Sequence, residues 1–487
     1  MTALLVGSVA AVPASATPAA PAHDYSTAEA GNPFVDGWYA DPDVAVYNNT
    51  YWVFPTSSRP YAEQTYLDAF SSPDLVNWTK HPNVLTTADV SWANKAVWAP
   101  APVQRNGKYY LYFGANDIQS NSERGGIGVA VADKPEGPYA DAIGKPLISQ
   151  FVNGAQPIDQ DVFIDSDGQA YMYYGGWGHA NVVKLNENMT SLGQFADGST
   201  YKEITPANFT EGSQMFKRNG KYYFMWSEDG WTGPNYAVSY AISDSPAGPF
   251  AKISRVLSQD AAVARGSGHN SVLNVQGTDI WYIVYHRRPL SRSGANDRQL
   301  AYDRMNFNAD GTIQPVTMKV KDNFDDRDAV GWTTYGGSWS TGGSRLDTSS
   351  SLGGKALLDT NFSNLTYDAD VTPRSASGDS GIVFRVTQPA TGTDSYRGYY
   401  AAIASGRVLL GKAANNWTQL ASVPMTITSG TAYRLRVEAV GSTIKVSVND
   451  LSTPKITVTD TSHTSGSNGV RVFNTAASFD NISVTHR

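Results

Sequence analysis

The feature that most narrows what this chain can fold into is a repeat. A polar turn followed by aromatic and β-branched residues at period two occurs five times. The copies are NNTYWVFPTSS (48–58), RNGKYYLYFGAN (105–116), SDGQAYMYYGGW (166–177), RNGKYYFMWSEDG (218–230) and GTDIWYIVYHRR (277–288). Their first aromatics, Tyr51, Tyr109, Tyr171, Tyr222 and Trp281, are spaced by 58, 62, 51 and 59 residues. Such runs, flanked by Asn-Gly or Asp-Gly, read as β-hairpins. Three are followed by a short strand and a Pro- or Gly-containing turn: AFSSPDLVNW (69–78), VAVADKPEGPY (129–139) and AISDSPAGPF (241–250). Units of about 50–60 residues with several short strands each are the signature of propeller blades. Five of them, over residues 31–320, predict a five-bladed β-propeller. Independent sandwich hairpins would not explain the even spacing.

The repeat stops after Pro315. Residues 321–487 are rich in Gly, Ser and Thr and carry different strand signals, among them SGIVFRVT (380–387), YRLRVEAV (433–440) and TIKVSVN (443–449). They predict a second all-β domain, a two-sheet jelly-roll sandwich, with no long linker before it. The fold class is therefore all-β throughout.

About eleven residues before each hairpin marker lies a short segment that should form the innermost strand of its blade. These are YADPDV (39–44), AVWAPAPV (96–103), PIDQDVF (157–163), FTEGSQMF (209–216) and GHNSVL (268–273). The offsets run 10 from Asp41, 11 from Trp98, 12 from Asp159, 11 from Glu211 and 12 from His269. Innermost strands surround the central channel, so these five side chains are expected to form one ring. Three carboxylates in one pocket repel, which raises at least one pKa and keeps an acid protonated near neutrality. Hydrolysis of a glycosidic bond uses this arrangement: one carboxylic acid to protonate the leaving oxygen, one carboxylate to activate water or attack. Any one Asp could merely cap a turn; three carboxylates at matched offsets are harder to explain that way.

Composition bounds the partners. A net charge of -7 and a pI near 5.5 argue against a polyanion such as nucleic acid. No window approaches 18 consecutive apolar residues, so no helical membrane span is expected. The absence of Cys rules out disulfides and Cys-ligated metals. At the N-terminus, Ala3 to Val12 followed by Ala14-Ser15-Ala16 resembles the end of a secretory signal with a small-residue cleavage site. A basic n-region is missing. Residues 1–30 are read as a signal or an Ala/Pro leader, and the protein as secreted.

The segments resemble glycoside hydrolase family 43. NPFVDGWYADPDV is similar to the family's first signature and implies that Asp41 is the catalytic base. PIDQDVFIDSDG is similar to the second, with Gln160 where Pro is commoner, and implies an orienting, pKa-tuning role for Asp159. TEGSQMFKRNGKYY is similar to the third and makes Glu211 the general acid. The resemblance, over roughly 30–320, implies an inverting hydrolysis that requires no cofactor, performed by a monomer on a carbohydrate substrate. It implies that Trp98 walls the terminal-sugar subsite, that Arg298 (with Arg304 as competitor) reaches sugar and carboxylate, and that His269 lies deep on the axis beside a calcium ion or water. Asn116, Asp117 and Trp177 are expected at the rim. Residues 321–487 resemble concanavalin-like jelly rolls. There, DNFDD (322–326) and FDN (479–481) are expected on neighbouring strands, where they hold a structural calcium or serve ordinary turn chemistry.

Members of this family cleave α-L-arabinofuranosides, β-xylosides, arabinans and galactans. The loops FGANDIQ, YGGWGH and WSEDGWTG, joined to such a sandwich, look most like a branch with exo-acting β-D-galactofuranosidases. α-L-Arabinofuranosidase and then β-xylosidase follow. A propeller lectin would need no acid/base pair. A fructan-cleaving propeller would carry Asn-Asp-Pro-Asn and Glu-Cys in place of Ala-Asp-Pro.

Overall fold

The computed structural model describes residues 29–375 and 377–487. The leader read at residues 1–30, with its candidate cleavage site, lies almost entirely outside them. Among the described residues there is no α-helix, and no helix long and apolar enough to cross a membrane.

The five repeats form five antiparallel sheets in chain order. Four have four strands, starting with Tyr39–Tyr47, Trp98–Arg105, Asp161–Ile164 and Glu211–Arg218, and the fifth, starting with Arg265–Asn274, has three. The predicted turn chemistry explains the hairpins. In blades 1, 2 and 4 the pairs Asn48-Asn49, Asn106-Gly107 and Asn219-Gly220 all have positive φ at both positions. That is the type I′ geometry that matches strand twist. Blades 3 and 5 close through longer turns, 165–169 and 275–280, which accounts for the drift of the sequence offsets from 10 to 12.

Each sheet packs on the next through aromatic and branched side chains. Trp52, Phe54 and Leu85 meet Tyr109, Leu111 and Phe113 between blades 1 and 2. Ring closure is made by packing. Tyr39, Tyr51, Val53 and Phe70 of blade 1 share one cluster with Leu273, Tyr282, Val284 and Tyr302 of blade 5. Asn32 completes the three-stranded blade: its side-chain amide donates to Tyr302 O (2.9 Å) and accepts from Tyr302 N (3.0 Å), in the manner of a one-residue strand.

The second domain is a sandwich of two antiparallel sheets, of eight and seven strands. Its first paired strand, Val320–Asp322, lies along the last, Thr475–His486. The DNFDD and FDN segments are therefore neighbours, as expected. Their carboxylates have local partners: Asp322 accepts from Trp332 Nε1 (2.7 Å) and Phe324 N (2.8 Å), and Asp325 from Asn323 Nδ2 (2.7 Å).

Candidate active site

Each inner strand is interrupted at the same point by a β-bulge. In blade 1 the ladder passes from Ala40↔Thr56 to Asp43↔Phe54, in blade 2 from Trp98↔Gly114 to Ala101↔Tyr112. In blade 4 it passes from Glu211↔Ser227 to Gln214↔Met225, and in blade 5 from Gly268↔His286 to Ser271↔Val284. Blade 3 follows suit, with Ile158 O accepting from Gly175 N (3.0 Å) and Asp161 opposite Tyr173. The first bulged residue is left-handed every time: Asp41 (φ 47°), Ala99 (43°), Asp159 (54°), Gly212 (70°) and His269 (46°). Bulges bend a strand and re-aim its side chains; here they turn five strand ends into the mouth of the channel.

This corrects the single ring expected from sequence spacing. Asp41, Asp159 and His269 are equivalent to one another, but Trp98 and Glu211 occupy the position one residue earlier, beside Ala99 and Gly212. The pocket therefore draws on two successive positions of the bulge. An offset that drifts between 10 and 12 could not separate them.

Most bulge N–H groups are held by a side chain of the blade before. Ala99 N donates to Thr56 Oγ1 (2.8 Å), His269 N to Ser227 Oγ (2.9 Å) and Asp41 N to His286 Nδ1 (3.2 Å). Thr56, Ser227 and His286 sit at matching ladder positions. In blades 2 and 3 that position is Gly114 or Gly175, which offers no acceptor. Gly212 N donates instead to Asp159 Oδ2 (3.2 Å).

The bulges and the loops between second and third strands line a cavity of about 770 Å³, open mouth included. Asp41, Asp159, Glu211, Trp98, His269, Arg298 and Trp177 all border it, as do Tyr61, Asp117, Gln119, Gln156 and Trp231. Asn116 does not. Its amide donates to Trp92 O and Arg124 O (2.8 Å each) and accepts from Asn94 N (2.9 Å), so it ties the loop together behind the wall. Arg304 also points elsewhere, lying 5.2 Å from the Tyr282 ring. Trp98 packs edge-on to Tyr61 at 4.8 Å. Gly114 makes room for it, since a Cβ there would come within 2.5 Å of the indole nitrogen.

Electrostatics separates the carboxyls. Burial works to raise Asp41, but it is outweighed by the Arg298 guanidinium, whose Nη1 lies 3.0 Å from Oδ1; His269 at 3.4 Å and His286 at 3.3 Å complete its surroundings. Its carboxyl is held well below the usual carboxylate range. Arg298 is itself fixed by Ser58 Oγ (3.0 Å) and lies 4.7 Å from the Trp231 ring. Burial pushes Glu211 up to about 7, with Asp41 adding to the rise and the Tyr236 hydroxyl, 2.8 Å from Oε1, opposing it. Asp159 is raised by burial and by the charges of Glu211 and Asp41. The site thus combines one carboxyl whose pKa is held down and two whose pKa values are raised, a division suited to general base and general acid work.

His269 Nδ1 faces Asp41 and, at 3.6 Å, Asp159. Burial lowers its pKa. Among the described residues no group of three His, Asp or Glu is disposed to share a metal ion. Calcium takes six to eight oxygens, so the side chains around His269 do not by themselves form its cage.

The sequence pattern does not mark His286, Tyr236, Tyr61 or Trp231 as residues of the site. His286 follows the hairpin marker by five residues, and only the bulge register reveals its place behind Asp41. Burial lowers it to about 3, so it is neutral, and since Nδ1 accepts from Asp41 N its proton resides on Nε2.

Residues 30–313 match the model for glycosyl hydrolases family 43, and residues 319–485 that for a 3-keto-alpha-glucoside-1,2-lyase-like domain. Among curated relatives, a β-D-galactofuranosidase of Aspergillus niger is 45% identical over 309 residues, covering 61% of this chain and 87% of the relative. Xylosidase/arabinosidase 43A of Humicola insolens is 31% identical over 336 residues, 56% of this chain and 95% of the relative. A solved thermostable family-43 glycoside hydrolase superposes with a TM-score of 0.52 at 27% identity, over 60% of this chain and 97% of that one. With a propeller of this construction and a family model spanning more than half of its length, the chain belongs to glycosyl hydrolases family 43.

Proposed function

We propose that this glycoside hydrolase is a secreted, exo-acting, inverting furanosidase that releases terminal β-D-galactofuranose. Asp41 acts as general base, Glu211 as general acid, and Asp159 orients and tunes them. The observation that carries the chemistry is the electrostatic split between Asp41, paired with Arg298, and Glu211, buried under Tyr236. Asp41 takes a proton from water as the water oxygen bonds to the anomeric carbon. The glycosidic C–O bond breaks on the opposite face, and Glu211 gives its proton to the departing oxygen. Both transfers use groups of the chain itself. Tyr61, Trp98, Trp177 and Trp231 border the cavity, aromatic walls that suit a terminal sugar. The galactofuranosidase relative supports the choice of sugar. α-L-Arabinofuranose, which has the same ring stereochemistry, is the second reading, supported by the xylosidase/arabinosidase relative. Secretion is supported by the residues around Ala14-Ser15-Ala16.

The test is hydrolysis of 4-nitrophenyl β-D-galactofuranoside, α-L-arabinofuranoside and β-D-xylopyranoside by wild type and Glu211→Ala, with the anomer of the first product followed by NMR. The galactofuranoside should be the best substrate, the first product the inverted anomer, and Glu211→Ala inactive on natural linkages. Asp41→Asn should abolish turnover but retain binding. Turnover of the xylopyranoside alone would refute the furanosidase reading, and intact activity in Glu211→Ala on an alkyl galactofuranoside, whose leaving oxygen must be protonated, would refute the mechanism.

A further inference from the structure

Asp117 enters the pocket from the loop between the second and third strands of blade 2. That loop is built to present it. Asn116 and Asp117 are consecutive left-handed residues (φ 72° and 50°), a conformation that Asn and Asp tolerate better than other non-glycine residues. Asn116 holds it with the three backbone hydrogen bonds described above. Gly125 closes the loop, where a Cβ would lie 2.7 Å from Ala115 O and 2.8 Å from the Asn116 Cβ. Gln119 Nε2 donates to Asp117 Oδ1 (2.8 Å), and so does Gln156 Nε2 (3.3 Å), which is anchored in turn on Ile118 O (2.9 Å). Both amides thus approach one oxygen. No cation forms an ion pair with Asp117 among the described residues, unlike Asp41. A half-buried carboxylate held by two amides on the wall of the pocket, with no ion pair of its own, is placed to accept hydrogen bonds from a ligand.

The ring order indicates which part of the sugar reaches it. Base and acid come from blades 1 and 4, so the anomeric carbon lies between Asp41 and Glu211. On the short arc between those blades, blade 5 fills the space with Arg298 and His269, both in contact with Asp41. The sugar must therefore extend over the long arc, blades 2 and 3, past Trp98 towards Asp117 and Gln156. The exocyclic carbons on C4 point away from C1 and reach furthest. In galactofuranose they bear vicinal hydroxyls on C5 and C6, whereas arabinofuranose has one hydroxyl there.

We propose that Asp117 is the specificity determinant of this pocket, its carboxylate accepting hydrogen bonds from the exocyclic 5,6-diol of a galactofuranosyl unit while Gln119 and Gln156 hold it in place. This rests on the furanosidase reading above. A site built to bond a hydroxyl rejects the analogue that lacks it far more strongly than a site that is merely roomy.

The experiment measures kcat/KM of the full chain on 4-nitrophenyl β-D-galactofuranoside and α-L-arabinofuranoside for wild type, Asp117→Ala and Asp117→Asn. Loss of the diol contact should lower the galactofuranoside value of Asp117→Ala by roughly 30-fold or more and leave the arabinofuranoside within about threefold. Asp117→Asn, which keeps the shape and one acceptor, should fall between. Equal losses on both substrates, or an unchanged ratio in both variants, would overturn the assignment. The isosteric Asn variant carries the test should Asp117→Ala not fold. Wild type inactive on either furanoside would instead overturn the furanosidase reading, and this inference with it.

Discussion

At the scale of residues, the site works by giving similar side chains different surroundings. Asp41 and Glu211 are both buried carboxyls, yet Asp41 has Arg298 and Glu211 has a phenol. The acid limb of activity should therefore lie below the ordinary carboxylate range, because the Arg298 charge disfavours protonation of Asp41. The alkaline limb should lie near pH 7, where Glu211 loses the proton it must donate. The Tyr236 hydroxyl donates to Glu211 Oε1 and so favours its ionised form. Tyr236→Phe removes that bond, which raises the pKa, and the alkaline limb of kcat/KM should move upward with the acid limb unmoved. A pH–rate profile checks this; a limb that stays put or moves down would mean that Glu211 is not the group titrating there. The carboxyls themselves were legible in the sequence, since Ala-Asp-Pro, Ile-Asp and Glu-Gly precede recognisable hairpins. Tyr236 was not, because it lies in a loop, WTGPNY, with no periodicity to place it. Asn116 was misplaced for a related reason: two adjacent polar residues after a strand look alike until the backbone shows which one faces in.

At the scale of elements, the unit is the bulged inner strand with its acceptor from the preceding blade. The repeat predicted the strands and the hairpins, because both are written in local residue types. It does not predict the bulge, since a two-against-one ladder leaves no mark in the alternation of side chains, and so spacing alone places the ring one residue out of register in blades 2 and 4. The bulge gives His286 a role that Thr56 and Ser227 play elsewhere. His286→Ala leaves the Asp41 N–H buried without its acceptor, which should destabilise the fold by about 1–3 kcal/mol and lower kcat more than it changes KM. His286→Ser, copying the Ser227 solution, should recover part of both, as judged by thermal melts and kinetics. Equal behaviour of the two variants would argue against the stitch. Gly268 belongs to the same element: a Cβ there would lie 2.3 Å from the Tyr236 ring. Gly268→Ala should push that ring off Glu211 and shift the alkaline limb in the same direction as Tyr236→Phe, with an added loss of stability.

At the scale of the whole molecule, the two domains share one apolar core. Val256, Ala262 and Ile283 of the propeller belong to the same cluster as Phe324, Phe362 and Val484 of the sandwich, with Met318 at the junction between them. The segment between is laid onto blade 4, with Ile313 N donating to the Tyr240 hydroxyl (3.0 Å) and Val316 N to Val256 O (2.7 Å). Polar contacts reinforce it: Asn361 N donates to Ala262 O (2.9 Å), and His486 Nε2 meets Asp260 Oδ2 at 2.8 Å. At the other end, Glu29 O accepts from Asn323 N (2.6 Å), three residues before Asn32 seals blade 5. Sequence could show where one pattern stops and the next begins, but not that Met318 and Val320 pack on both sides of that border, because a buried interface residue and a buried core residue have the same composition. The junction also bears on catalysis. Asp359 of the sandwich accepts from Ser291 N (2.9 Å), in the loop that ends at Arg298. Domains joined by a large apolar surface lose the independence expected of loosely tethered ones. Calorimetry of the full chain should therefore show one cooperative transition, and a chain cut after Lys319 should aggregate or melt far lower, its blade 4 and 5 side chains exposed. Asp359→Ala, which keeps the core, should leave that single transition nearly in place while loosening the loop and reducing kcat/KM several-fold through Arg298. Two separate transitions in the intact protein would show that the sandwich is an appendage, and full activity in Asp359→Ala that its brace on the catalytic loop has no consequence for turnover.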